Sequence, residues 1–401
     1  MLQHLNLLYQ IANKPTRTII GLMSGTSLDG LDIALCQISK SGLNTKVKLL
    51  HFETVAYDTD FKNEILSVFA KRSADLQKVC LLNAWIGLQH AQMINQTIEK
   101  WNINKKDVDL IASHGQTIYH APKILHRDPK FGNATLQIGD GDHIAHQTGI
   151  ITISDFRQKH IAAGGQGAPL AVYGDYLVFS KLGENRIMLN IGGIANFTFL
   201  PATINPNEVF STDVGAGNTM MDAFVQRHFA PNQYDQNAML AMKGTVDEAL
   251  LEALGQNDFF EKPFPKTTGP ELFNLDYLQK ALQTLPKNQL SNEDILTTLN
   301  QFSADMIVSA IQKCLKTNQH YTLYASGGGM HNPLLMKRIA DQLPHCEIKT
   351  TADLEINPDA KEAVLFALLA NECVAGTASE AQKNQDSLAF NVSMGKISLP
   401  H

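Results

Sequence analysis

Four glycine-rich stretches and one aspartate are the residues of this chain best suited to chemistry. The glycines fall in Gly21 to Gly30, in the pair Gly192-Gly193, in Asp213-Val214-Gly215-Ala216-Gly217-Asn218, and in Gly327-Gly328-Gly329. Each follows an apolar, strand-like run. A glycine can bring its backbone N–H up to an anion with no Cβ in the way, so such turns can cradle phosphates. Plain turn chemistry accounts for any one of them; four, two with hydroxyl or carboxylate neighbours, point to a nucleotide. No GxxxxGK[ST] occurs and the Rossmann spacing fails, so neither of those phosphate loops is present. What remains is two hairpin turns, with Ser24, Thr26 and Ser27 as hydroxyl donors and Asp213 placed to hold Mg²⁺ through water.

Asp155 ends the apolar run IITIS and precedes Phe156-Arg157 and the glycine-rich Ala163-Gly164-Gly165-Gln166-Gly167. A carboxylate at the C-terminal end of a strand is placed for general-base work; a salt bridge to Arg157 or a cap on the next turn are the alternatives. Arg157 can clamp a carboxylate or phosphate through two parallel hydrogen bonds. Among the many histidines, His114 in SHGQT is the one placed to touch a ligand. No HExxH occurs and His143/His146 lack a third partner, so a zinc site is not expected. No GxSxG elbow is present.

The elements that must position these residues read as two similar halves. TRTIIGLMSG, LDIALCQIS and KVKLLHFETVAY form an antiparallel meander, followed by helical spacing from about Phe61 to Trp101, short strands at Leu110 to Ala112 and Gly149 to Ser154, and a helix from Ala168 to Phe179. RIMLNIGG, IANFTFL and VFSTDVGAGN form a second meander, running into a helix at Met220 to Phe229. A helix over Asp294 to Leu315, a strand at Leu323 to Ala325 and a closing apolar helix over Asp359 to Cys373 complete it. An apolar strand, a glycine turn and a returning strand recur about 170 residues apart, which predicts an internal duplication, with halves 1–184 and 185–401.

Composition narrows the partners. The 401 residues carry 33 Lys+Arg against 39 Asp+Glu, a net charge of −6 that leaves no basic footprint for nucleic acid. Five scattered cysteines, never as CxxC, fit neither a disulfide framework nor zinc, and a reducing cytoplasm is expected. The N-terminal stretch MLQHLNLLYQIANKPT has neither a positive n-region nor a long apolar h-region, so a secretion signal is not expected there and the stretch reads as a surface helix. The longest uncharged stretch is broken by Asn190, Gly192-Gly193 and Pro201, so no membrane span is expected.

Taken in order, GLMSGTSLDGLDIAL, SHGQTIYH, LQIGDG, SDFRQKHIAAGGQGAPLA, NIGGIANFT, DVGAGN, SGGGMHNP and DAKEAVLFALLANE resemble the anhydro-N-acetylmuramic acid kinases. The resemblance implies an α/β fold of the actin/hexokinase/Hsp70-like type, a duplicated two-domain ATPase with a central cleft, usually a homodimer. It implies ATP with Mg²⁺, and a nucleotide turn at Gly25, Thr26, Ser27, Leu28, Asp29, Gly30, Leu31 and Asp32; from the glycine turns read above, Gly192, Gly193, Asp213, Gly215, Gly217, Asn218, Gly327, Gly328 and Gly329 are expected to complete the nucleotide site. Asp155 is the implied catalytic base; Arg157 and Glu362 join His114 as candidates for the sugar. The implied reaction opens a 1,6-anhydro amino sugar with water and phosphorylates its 6-oxygen. Another amino-sugar kinase of the same fold, or an ATP-gated binding module, are the other readings. The chain differs from the family's pattern at Tyr119, at His160 and at Asp140-Gly141-Asp142.

Overall fold

The computed structural model describes residues 2–25, 27–168, 170–286, 290–317, 319–354, 357–376 and 393–400. It forms two compact units, residues 1–178 with 359–401, and residues 179–358. The first begins with α1 (Leu2–Ala12), β1 (Thr16–Ser24), β2 (Gly30–Ser39), β3 (Lys46–Ala56), α2 (Thr59–Leu66) and α3 (Leu76–Lys100). It continues through β4 (Leu110–Ser113), β5 (Gln116–Ala121), α4 (Lys123–His126), β6 (Ala134–Ile138), α5 (Gly141–Thr148), β7 (Thr152–Ser154), α6 (Phe156–Ala162) and α7 (Ala171–Phe179). The second unit holds β8 (Asn185–Ile191), β9 (Ile194–Leu200), β10 (Phe210–Ala216), α8 (Thr219–His228), α9 (Glu248–Gly255), α10 (Leu275–Gln283), α11 (Asn292–Gln312), β11 (Tyr321–Ser326), α12 (Pro333–Gln342) and β12 (Cys346–Thr350). The chain then returns to the first unit with α13 (Lys361–Ala375) and β13 (Lys396–Ser398).

The duplication is visible in the strand orders. The first sheet runs β13-β7-β4-β1-β2-β3 and the second β10-β9-β8-β11-β12. In each, three strands form an antiparallel meander, a fourth pairs in parallel with its first strand, and a fifth pairs in parallel with the fourth. Only the first carries an additional edge strand, β13, antiparallel to β7.

The compact units differ from a division at Glu184 followed by one uninterrupted second half. The reason is α13, whose residues Ala363 to Asn371 are all buried in the first unit. An apolar helix with no exposed face must be covered all round; β1, β2 and β4 cover one side of this one, and Ile11, Phe156, Leu170 and Tyr173 join it in the same core. Gly21 in β1 makes the approach possible, since a Cβ there would stand 1.9 Å from the Ala363 carbonyl oxygen. The one polar residue of that stretch is satisfied: Arg17 Nε donates to Asn371 Oδ1 at 2.7 Å, and Asn371 Nδ2 donates to the Lys40 carbonyl at 3.1 Å.

The helical spacing read from Phe61 to Trp101 divides into two helices. α2 ends at Leu66, and α3 starts afresh where Asp75 accepts the N–H groups of Gln77 and Lys78. The expected surface helix at the N-terminus is α1, with Leu2 and Tyr9 more than 70 % exposed. Among the described residues, no helix is long and apolar enough to cross a membrane.

Candidate active site

In the first unit β1, β4 and β7 are parallel neighbours, with Leu22 beside Ser113 and Ser113 beside Ser154. Their C-terminal ends therefore share one sheet edge, which is where open α/β sheets place ligands. Gly25, His114 and Asp155, the residues that follow those strands, meet there.

The turn after β1 is held from behind by a buried hydrogen-bond chain. Ser24 Oγ donates to Gln116 Oε1 at 2.5 Å, Tyr57 OH donates to Ser24 Oγ at 2.7 Å, and His90 Nε2 lies 3.1 Å from the Tyr57 oxygen. The one tyrosine proton goes to Ser24, so His90 must carry its proton on Nε2. Its Nδ1 is then bare, buried and without a partner. Burial lowers the His90 pKa to about 4, which keeps the ring neutral. Because its hydroxyl is committed to Gln116, Ser24 cannot serve as the phosphate donor expected of it.

The remaining residues of the turn fall into two sets. Gly25 has room for a side chain, the nearest atom to an added Cβ being Ser27 Oγ at an ordinary 3.6 Å, and Ser27 and Asp29 are exposed. Leu28 and Leu31 belong to the core, a Cβ on Gly30 would meet the Val55 carbonyl oxygen at 2.5 Å, and Asp32 accepts the Thr54 hydroxyl at 2.6 Å. Thr26 lies outside the described residues.

Asp155 sits between β7 and α6 in the left-handed region, at φ 52 and ψ 51, and its side chain does not cap the helix. A non-glycine residue held there marks local strain, a frequent property of functional positions. Neither alternative partner is used. Asp155 Oδ2 accepts from Lys396 Nζ of β13 at 2.5 Å, and Oδ1 is buried with no partner. Arg157 instead donates from Nη1 to the Gly167 carbonyl at 2.6 Å and from Nη2 to His114 Nε2 at 3.1 Å, with Nε left unpartnered. Burial lowers the Arg157 pKa to about 10, with Glu362 pulling it back up.

His114 is 3 % exposed, and its Nδ1–H donates to the Ser24 carbonyl at 3.1 Å. Both ring nitrogens are thus occupied. Burial, then the Arg157 charge, hold its pKa well below the ordinary histidine value, as a neutral ring bridging the β1 turn and Arg157 requires. Glu362, first-turn residue of α13, keeps solvent contact; the desolvating surroundings push its carboxyl up, while Lys361 and Arg157 pull it down.

The three departures from the family's pattern have structural places. Asp140 caps α5 by accepting the Asp142 N–H at 2.8 Å. His160 Nδ1 accepts the Gly167 N–H at 3.1 Å, and a Cβ on Gly165 would meet the His160 ring at 2.1 Å, so the glycine loop wraps this imidazole. Tyr119 lies at the irregularity in the β5–β6 pairing.

In the second unit the turns after β8, β10 and β11 gather at one edge in the same manner. Gly217 N–H donates to the Gly193 carbonyl and Asn218 N–H to the Gly192 carbonyl, both at 2.9 Å. A Cβ would strike backbone or buried side chain at Gly217, Gly327 and Gly329, so these three are required for packing, and at Gly193 it would meet the half-buried Thr219 hydroxyl at 2.6 Å. At Gly192 and Gly328 a Cβ would meet only ordinary contacts, the nearest at 3.5 and 3.7 Å. Gly215, at φ 153, forms the bulge in the β9–β10 ladder. Beside it Asp213 Oδ2 accepts the Thr268 N–H at 2.9 Å. Burial raises the Asp213 pKa to about 6, against the Thr268 hydrogen bond and with Glu271 adding to the rise.

Two sheets of one strand order, with glycine turns at the ends of their parallel strands, define the class as a duplicated α/β protein. Within it, the chain belongs to the anhydro-N-acetylmuramic acid kinase family, whose model matches residues 17–397. A protein of that name from Pseudoalteromonas atlantica is 57% identical over 401 residues, covering 100% of both chains. Similar proteins come from Pseudoalteromonas translucida (54% identical, 98% of each chain) and Caldanaerobacter subterraneus (38% identical, 98% of this chain and 99% of the other).

Sequence reasoning missed Lys396, Gln116, Tyr57 and His90. Tyr57 follows β3, His90 lies inside α3 and Gln116 opens β5 two residues after His114, and no spacing ties the three together, while Lys396 is brought to Asp155 by strand pairing across 241 residues of chain.

Proposed function

We propose that this protein is a cytoplasmic, ATP-dependent carbohydrate kinase that converts 1,6-anhydro-N-acetylmuramic acid, ATP and water into N-acetylmuramic acid 6-phosphate and ADP, a step of peptidoglycan recycling. The observation that carries the reading is Asp155: a carboxylate at a parallel-strand end with one oxygen held by Lys396 and the other buried and unpartnered. In the reaction Asp155 takes a proton from water as the water oxygen bonds to the anomeric carbon. The bond from that carbon to the bridging oxygen breaks, and the released 6-oxygen takes the γ-phosphoryl group as ADP leaves. Arg157 Nε and Glu362 are the groups of the first unit proposed to face the sugar, with His114 holding Arg157 in place.

Gly25, Gly192 and Gly328, turn glycines at which a Cβ would meet only ordinary contacts, are proposed to face the phosphates. Asp213 fits a role toward Mg²⁺: Oδ2 is tied to Thr268, and the carboxyl, raised by burial and by Glu271, gains from a nearby cation. Magnesium, when bound, screens the charge of the phosphates. Assembly as a homodimer belongs to the same proposal and is read by light scattering.

The test is turnover in heavy-oxygen water. Early product from the anhydro sugar must carry the label on its anomeric hydroxyl and none in the phosphate ester. An ordinary amino-sugar kinase, which attacks with an existing hydroxyl, gives unlabelled product. A nucleotide-gated binding module releases no ADP that depends on sugar.

A further inference from the structure

Lys396 is the one charged residue of the short strand β13, and it lies across from Ser154 in the antiparallel pairing with β7. Its neighbour Gly395 is what lets the strand come this close. Gly395 has φ 102, and a Cβ there would stand 2.4 Å from Ile153 Cγ2 and 3.3 Å from the Phe156 ring. The backbone at this point is therefore built to deliver residue 396 to the end of β7. The ammonium group reaches Asp155 Oδ2 at 2.5 Å from a side chain that is itself 63% exposed. An exposed ion pair of this kind adds little to folding stability, so its consequence has to be sought in what it does to the carboxylate.

A carboxylate offers two equivalent oxygens and turns freely about its last torsion unless one is held. Asp155 has one held and one bare, and the bare one is buried. Two residues on, Arg157 has its Nη groups committed to Gly167 and His114 and one buried N–H without a partner. Among the described residues, no ion pair joins Asp155 to Arg157; Asp155 pairs with Lys396 instead.

On the proposed reading of the reaction, we propose that Lys396 is a positioning residue for Asp155. It fixes Oδ2, so that Oδ1 is the oxygen that accepts the proton of the attacking water, and it keeps the carboxylate from turning to Arg157. The proton moves from water to Oδ1 as the new bond to the anomeric carbon forms, and Lys396 exchanges no proton in this step. Arginine at the same position can hold the same oxygen; methionine, of similar length and apolar, cannot.

The test measures kcat, and KM for the anhydro sugar and for ATP, in the full-length wild type and in K396M, K396R, D155N and the double variant D155N/K396M. The expectation is a roughly tenfold fall in kcat for K396M with both KM values within about twofold, and recovery of at least half the wild-type kcat in K396R, in keeping with the size of orientation effects. The double variant is expected to match D155N, whose kcat falls about 10²–10⁴-fold. Unchanged kcat in K396M, a failure of K396R to recover, or a further tenfold fall from D155N to the double variant overturns the role of Lys396. A wild type inactive on the anhydro sugar, or a D155N variant that keeps full turnover, overturns the proposed function itself and the Lys396 role with it.

Discussion

At the residue scale the glycines separate by what surrounds them, which their positions in sequence could not disclose. Gly25→Ala places its Cβ at an ordinary 3.6 Å from Ser27 Oγ, so the fold is expected to stay intact while ATP affinity falls at least about tenfold, the cost of losing close backbone approach to a phosphate. Gly217→Ala places its Cβ 2.3 Å from the Gly192 carbonyl oxygen, and its main effect is a lower melting temperature. Calorimetric titration with nucleotide and thermal melts of both variants check the contrast. His90 gives a pH signature. Its pKa is lowered to about 4 in the fold against 6.5 in the unfolded chain, so the unfolded state binds the extra proton. The neutral ring's contribution is fully present above pH 6.5 and is lost as pH falls toward 4, by about 2 kcal/mol at pH 5. A His90→Gln variant, which can still donate to Tyr57, is expected to lose less melting temperature than wild type between pH 7 and pH 5. Asp155 was legible because a carboxylate after a β-rich apolar run is a strand-end residue wherever that strand lies in the sheet. Ser24 was misleading, since a hydroxyl beside a glycine turn looks like a ligand donor until its proton is traced to Gln116.

At the element scale, both meanders, the buried strands after them and the long helix α11 were legible from apolar period and turn residues. The break between α2 and α3 was not, because apolar residues continue at helical spacing on both sides while the cap at Asp75 restarts the helix. The fit of α13 on β1 was equally hidden. An apolar helix announces that it is buried but not against which strand, and Gly21 read as part of a phosphate turn when its missing side chain makes room for Ala363. Gly21→Ala is accordingly expected to destabilise the protein by about 1–3 kcal/mol, the usual cost of overpacking, without changing nucleotide affinity in the folded fraction. Urea unfolding of the variant, with nucleotide titration under native conditions, separates these effects.

At the scale of the whole molecule, the repeat was visible in the sequence as two strand-turn-strand passages and is visible in the structure as two sheets of one order. The allocation of the last segment was out of reach of the sequence, because a duplication suggests two successive halves whereas the second unit, 179–358, interrupts the first. The second unit has a core of its own, with buried residues from Ile187 to Leu343. Residues 179–358 expressed alone are expected to melt cooperatively, whereas 1–178 alone, lacking α13, is expected to lack a cooperative transition; circular dichroism on heating reads both. The same interruption sets an order of events during synthesis. A ribosome delivers β1, β4 and β7, then the whole of the second unit, before it delivers the helix that fills the first unit's core and the strand that carries Lys396. A nascent chain can therefore complete its second unit while the first still waits for its final pieces, and a product cut short before α13 cannot assemble the complete first unit around Asp155.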